Sequence, residues 1–74
     1  MKNQYQVILV DSTSHALRIE QILLRNEIAC KLVPVPRHLS SDCGVCVRIN
    51  IDDWDWVRRV LDQNKAIFRE IHNL

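Results

Sequence analysis

The residues of this chain best equipped for chemistry lie in one short run, Pro34-Val35-Pro36-Arg37-His38-Leu39-Ser40-Ser41-Asp42-Cys43-Gly44. Both prolines of the chain and its only glycine fall here, with two serines, an arginine, a histidine and a cysteine. Proline lacks a backbone donor, and glycine admits backbone angles that other residues resist, so the run reads as a loop rather than a helix or central strand. A thiol held among cations and hydroxyls is placed for sulfur chemistry or for presenting a sulfur atom. The thiolate is the nucleophile, and a free cysteine ionises near pH ~8.5. Arg37, or His15 or His38 when protonated, would favour the Cys43 thiolate, and a nearby helix N-terminus would add about 0.3–1 kcal/mol. Asp42 opposes them with its own charge, so a modestly lowered value is expected.

The elements around the loop must hold it in place. Tyr5 to Val10 is apolar at both alternating sets of positions, Tyr5, Val7 and Leu9 and then Ile8 and Val10, as in a strand buried on both faces. Asp11-Ser12-Thr13-Ser14 is rich in helix N-caps. From about His15 to Arg25 the chain carries Ala16, Ile19 and Leu23 at helical spacing, flanked by Leu17 and Leu24, with Asn26 as the stop. Ala29 to Val35 reads as a second strand, closed by Pro34 and Pro36. Val45 to Ile51 alternates, with Val45, Val47, Ile49 and Ile51 on one face and Cys46, Arg48 and Asn50 on the other. Asp52 and Asp53 are expected to cap a second helix. Its apolar stripe is Trp54, Val57, Val60 and Leu61, with Trp56 at the core margin or on a partner surface. Ala66 to about His72 fits a last strand with Ile67 and Ile71 inward, although residues 65–72 would also serve to extend the helix.

The order β-α-β-β-α-β in so short a chain predicts an α+β, ferredoxin-like sandwich. Its four-stranded antiparallel sheet would carry both helices on one face. This order has a consequence for the loop. The second strand runs parallel to the first, so the connection between strands two and three lies at the end of the sheet where the first helix begins. Asp11 to His15 and Arg37 to Gly44 are therefore expected to be neighbours, around Cys43.

At 74 residues the chain makes one domain, spanning 1–74. A chain this short buries roughly 60% of the surface that its unfolded form exposes, so an open sheet face that pairs with a second copy would help it. Its 47% hydrophobic and 26% charged residues are those of an ordinary soluble domain, and a net charge of +1 gives no long-range attraction for nucleic acid or anionic lipid. Val7-Ile8-Leu9-Val10 is too short for a signal-peptide core, and nothing approaches a membrane span, so a cytoplasmic location is expected. The three cysteines, Cys30, Cys43 and Cys46, are too few and too odd in number for a disulfide framework, so reduced thiols are expected.

Several of these residues also resemble a known pattern. Ser12-Thr13, then His15-Ala16-Leu17, Glu20 and Leu23-Leu24, Leu32-Val33-Pro34-Val35-Pro36-Arg37, Ser40-Ser41 and Cys43-Gly44 are similar to the selenium/sulfur carrier protein-like family, small bacterial proteins. The likeness runs over about residues 5–50. It implies a cysteine that carries sulfur or selenium as a persulfide or selenosulfide, and Cys43, before the glycine, matches it. It implies a donor protein and an acceptor protein as partners, and a carrier rather than a turnover enzyme. Ser12, Thr13, His15, Arg37, Ser40, Ser41 and Gly44 are the expected supporting residues. Cys46 stands where a small residue is expected and is a candidate second thiol.

Two other functions compete with carriage. One is a non-catalytic module that binds a small ligand or a partner, with Cys43 an inert loop residue. The other is a thiol-redox protein using Cys43 and Cys46. Residues three apart in an extended strand are separated by roughly 10 Å, beyond the ~7 Å that a disulfide spans, so that pair needs Gly44 to bend the chain. Zinc wants four ligands, and Cys43, Cys46, His38 and His15 offer no second clean pair, so no metal is expected. With Gly44 alone there is no phosphate-cradling loop, and no cofactor is expected. Arg58-Arg59 reads as an exposed helix face, and nothing resembles an RNA-binding strand or a basic stripe, so no nucleic-acid partner is expected. Cys30 reads as a small core residue and His72 as a surface one.

Overall fold

A computed structural model describes residues 4–39 and 44–74. The elements are β1 (Tyr5–Leu9), α1 (Thr13–Arg25), β2 (Cys30–Pro34), β3 (Val45–Asn50), a 3₁₀ turn (Ile51–Asp53), α2 (Trp54–Gln63) and β4 (Glu70–Asn73). They form a four-stranded sheet in the order β2-β3-β1-β4, with each neighbouring pair antiparallel. This is the ferredoxin-like α+β arrangement expected of the element order. Val7, Ile8, Leu9 and Val10 are all buried, which suits the central place of β1.

One face of the sheet carries the main core. Ile8 and Val10 of the first strand region and Val47 and Ile49 of β3 pack with Ala16, Ile19, Ile22 and Leu23 of α1 and with Val57, Val60 and Leu61 of α2. Both helices therefore lie on that face. Leu17 and Leu24, which flank the α1 stripe, stay outside it, whereas Ile22 joins it. Trp54 is half-buried against the core, and Trp56 is exposed.

The helix ends have local causes. Ser12 has extended backbone, and its hydroxyl accepts from the His15 N–H at 3.4 Å, as an N-cap does. At the other end of α1 the Ile28 N–H donates to Leu23 C=O and the Glu27 N–H to Leu24 C=O, with Glu27 left-handed at φ 61. The same closure ends α2, from Ala66 to Leu61 and from Lys65 to Asp62, with Lys65 at φ 53. This reciprocal pair of bonds is a helix stop that glycine usually occupies.

Three expectations need correction. Asp53 sits at the α2 N-cap without a side-chain cap bond, because the 3₁₀ turn takes up the entry to the helix. The last strand begins at Glu70 rather than Ala66, and Ile67 is 59% exposed rather than inward. The stop after α2 still engages Ala66, and the first bond to the sheet is from the Arg69 N–H to Leu9 C=O. Gly44 has no positive φ, and a Cβ built on it would meet nothing within 4 Å, so this backbone does not require glycine there.

Candidate functional site

Strand register fixes which loops share an end of the sheet. Leu9 pairs with Cys46 and with Glu70, and Cys46 pairs with Val33, so these four residues form one rung. Beyond that rung lie the start of α1, the β2–β3 connection and the α2–β4 connection. The first two were expected there. The third is placed there by the same strand directions, and it brings Arg69 to Asp11, with Nε 3.4 Å from a carboxylate oxygen.

The described part of the β2–β3 loop leans away from the helices. Val35 and Leu39 pack against Val7, Leu9 and Cys46, on the face of the sheet opposite the main core. A bond from the Val35 N–H to Gly44 C=O at 3.1 Å extends the β2–β3 ladder, and Leu39 N–H to Pro36 C=O at 3.0 Å closes a turn. Arg37 and His38 are exposed on that turn. The loop and Asp11 to His15 thus share an end of the sheet as expected, but residues 35–39 sit across the sheet from α1 rather than over its start. They also cover the apolar end of the open face. The rest of that face is polar, with Lys31, Arg48, Asn50, Glu70 and His72 in register positions of the same set.

The described thiols are poorly placed for reaction. Cys46 is fully buried, its Sγ 3.6 Å from Val33 C=O and 3.8 Å from Pro34 C=O. Cys30 is half-buried on β2, with Sγ 3.9 Å from Glu20 C=O. Burial pushes its thiol above the ordinary range, and the Glu20 carboxylate adds to the effect. Cys43, Ser40 and Ser41 lie outside the described residues. Of the remaining expected site residues, Ser12 serves as the α1 cap and Thr13 is exposed in the first turn. His15 is half-buried, and its Nδ1 is buried without a hydrogen-bond partner. Among the described residues no three His, Cys, Asp or Glu side chains converge to hold a metal ion. No helix among them is long and apolar enough to cross a membrane.

A family model described as "Putative Se/S carrier protein-like" matches residues 4–73, nearly the whole chain. The chain belongs to this Se/S carrier-like family. No curated protein and no solved structure matches it.

In this Se/S carrier-like chain, two apolar residues read as strand are exposed at the loop end of the sheet. Ile67 and Phe68 are 59% and 37% exposed on the α2–β4 connection. Phe68 and Lys65 border a groove of about 580 Å³ with Arg58, Arg59, Asp55 and Asp62 of α2, so both signs of charge line it. The sequence did carry a signal for this connection. Ala66 to Arg69 lacks the strict alternation of β3, and Asn64-Lys65 follows the last apolar residue of α2 as a helix stop would.

Proposed function

We propose that this protein carries sulfur or selenium on Cys43, within the connection between β2 and β3. The family match supports carriage, and one structural observation supports the choice of cysteine. Of the three thiols, Cys46 is sealed beneath Val35 and Leu39, and Cys30 is half-buried with its ionisation suppressed. Neither suits a group that must meet a donor and then an acceptor. That leaves Cys43, in the loop whose flanks lie at the same end of the sheet as the α1 N-terminus, across the sheet from it.

Loading is an exchange without net oxidation. The Cys43 thiolate attacks the outer sulfur of a donor persulfide, the donor's S–S bond breaks, and its inner sulfur leaves as thiolate. Cys43 then holds the transferred sulfur in a new S–S bond, and the reverse attack by an acceptor thiolate delivers it. A selenium atom moves in the same way. Ser12, Thr13, His15, Ser40 and Ser41 are the proposed supports of the outer atom, with Arg37 reaching from the opposite side of this end to offset its charge and Gly44 offering a backbone N–H. Ile67 and Phe68 are the apolar contacts that the donor and acceptor proteins would find at this end. A homodimer through the open face fits less well, since Val35 and Leu39 already cover its apolar part. The proposed loading by a partner enzyme takes place in the cytoplasm, where thiols stay reduced.

Exposure to a persulfide donor followed by intact mass measurement tests this. Wild type should gain a sulfur atom and Cys43→Ser should not. Equal gain by the two proteins would defeat the assignment. A Cys43–Cys46 redox pair is disfavoured by the burial of Cys46.

A further inference from the structure

The open face of the sheet holds a second cluster, at the end away from the β2–β3 loop. Lys31 of β2 and Arg48 of β3 stand directly opposite each other in the antiparallel register. Like charges directly opposite each other repel and destabilise the pairing. The Arg48 guanidinium lies over the Tyr5 ring, 4.3 Å from its centroid, which fixes its orientation. Asn50, opposite Tyr5 in register, adds an amide to the same face.

Tyr5, Lys31, Arg48 and Asn50 line a cavity of about 270 Å³, whose wall is completed by Ala29, Cys30 and Ile49. Among the described residues no carboxylate lines it. Glu70, the acid of β4 on this face, is already engaged by His72 at 3.5 Å. Glu20 is on α1, across the sheet, where it acts on Cys30. Two cations converge on a small recess whose walls hold nothing to neutralise them. The volume is just below the usual range of ligand pockets, so only a compact group would fit.

We propose that this recess binds a small oxyanion, a carboxylate or phosphate group held between Lys31 and Arg48. The fork of Arg48 would engage two oxygens, and Lys31 would supply a point charge. Tyr5 would hold the fork ready, and Asn50 would donate to a further oxygen where the group is a phosphate, or share one of the two oxygens of a carboxylate. This proposal does not rest on the carrier reading.

Backbone amide NMR of the full chain, titrated with sodium phosphate and separately with sodium malonate, tests the proposal against sodium chloride at matched ionic strength. The expected result is a saturable shift at residues 5, 29–31 and 48–50 with at least one of the two probes. The probe that saturates at lower concentration identifies phosphate or carboxylate as the preferred group. Arg48→Gln and Lys31→Gln should each weaken that binding by about tenfold or more, because each removes a charge-assisted bond. Lys31→Gln keeps the Arg48–Tyr5 contact and so serves where Arg48→Gln perturbs the fold. Shifts that never saturate, that chloride reproduces, or that persist unchanged in a folded Lys31→Gln variant would overturn it.

Discussion

Replacing Leu39 by alanine should loosen the β2–β3 loop from the sheet and expose a thiol that is otherwise sealed. Leu39 and Val35 close the small apolar cluster of Val7, Leu9 and Cys46, and Cys46 is fully buried beneath them. Complete burial of a leucine side chain is worth about 1.5–3 kcal/mol, and Leu39 is only half-buried, so its truncation should cost the closed loop roughly 1 kcal/mol. That raises the open fraction about fivefold. When closing is fast compared with modification, alkylation reports this open fraction. The assay is iodoacetamide labelling followed by peptide mass mapping of each cysteine. Cys46 should label about fivefold faster in Leu39→Ala, while Cys30, on the other face of the sheet, should keep its wild-type rate. Leu39→Met, which preserves volume, should behave as wild type. An unchanged Cys46 rate would show that Leu39 does not seal the cluster. A parallel rise at Cys30 would show global unfolding rather than local opening.

The other predictions concern the helix ends and Cys30. Ser12→Ala removes the α1 cap and should destabilise the fold by about 0.5–1 kcal/mol, lowering the thermal midpoint by several degrees in a calorimetric or circular-dichroism melt. Glu27→Gly relieves a left-handed backbone at φ 61 and should raise the midpoint by a few degrees, a net ~0.5–1 kcal/mol after the added freedom of the unfolded chain. Cys30 should titrate above the ordinary thiol range in a pH profile of its alkylation, and Glu20→Gln should bring it partly down, with burial keeping the rest. Because the folded value is the raised one, the stability linked to Cys30 is complete below the unfolded thiol's pKa. It is lost as pH rises through the folded value, and alkaline denaturation of wild type and Cys30→Ala checks that direction.

Much of the fold could be read from periodicity. The unbroken apolar run Val7 to Val10 announced a strand buried on both sides, and the alternation of Val45 to Ile51 announced β3, which ends one residue earlier where Ile51 enters the 3₁₀ turn. The shared end of the α1 start and the β2–β3 loop followed from element order alone. Two things were hidden for physical reasons. Ile67 looks like a core residue because side-chain type does not tell an inward position from an exposed one. Its exposure depends on where the α2 stop releases the chain, which Lys65 and Ala66 decide through backbone bonds. Cys46 looks like a residue of the solvent face because β3 alternates. Its burial comes from Val35 and Leu39 folding back over the sheet, a tertiary contact with no local periodicity. Of the expected site residues, Ser12 is at its capping position and His15 is half-buried beside it, whereas Arg37 lies on the turn over the opposite face.

The assignment of cargo to Cys43 is tested most directly by sulfur release from variants that each retain a single cysteine. Proteins keeping only Cys30, only Cys43 or only Cys46 are loaded with a small-molecule persulfide, desalted and treated with cyanide. Cyanide removes a bound outer sulfur as thiocyanate and returns the thiol. About one thiocyanate per chain is predicted from the protein keeping Cys43, with background levels from the other two. Comparable release from the protein keeping Cys30 or Cys46, or none from the one keeping Cys43, would contradict the account.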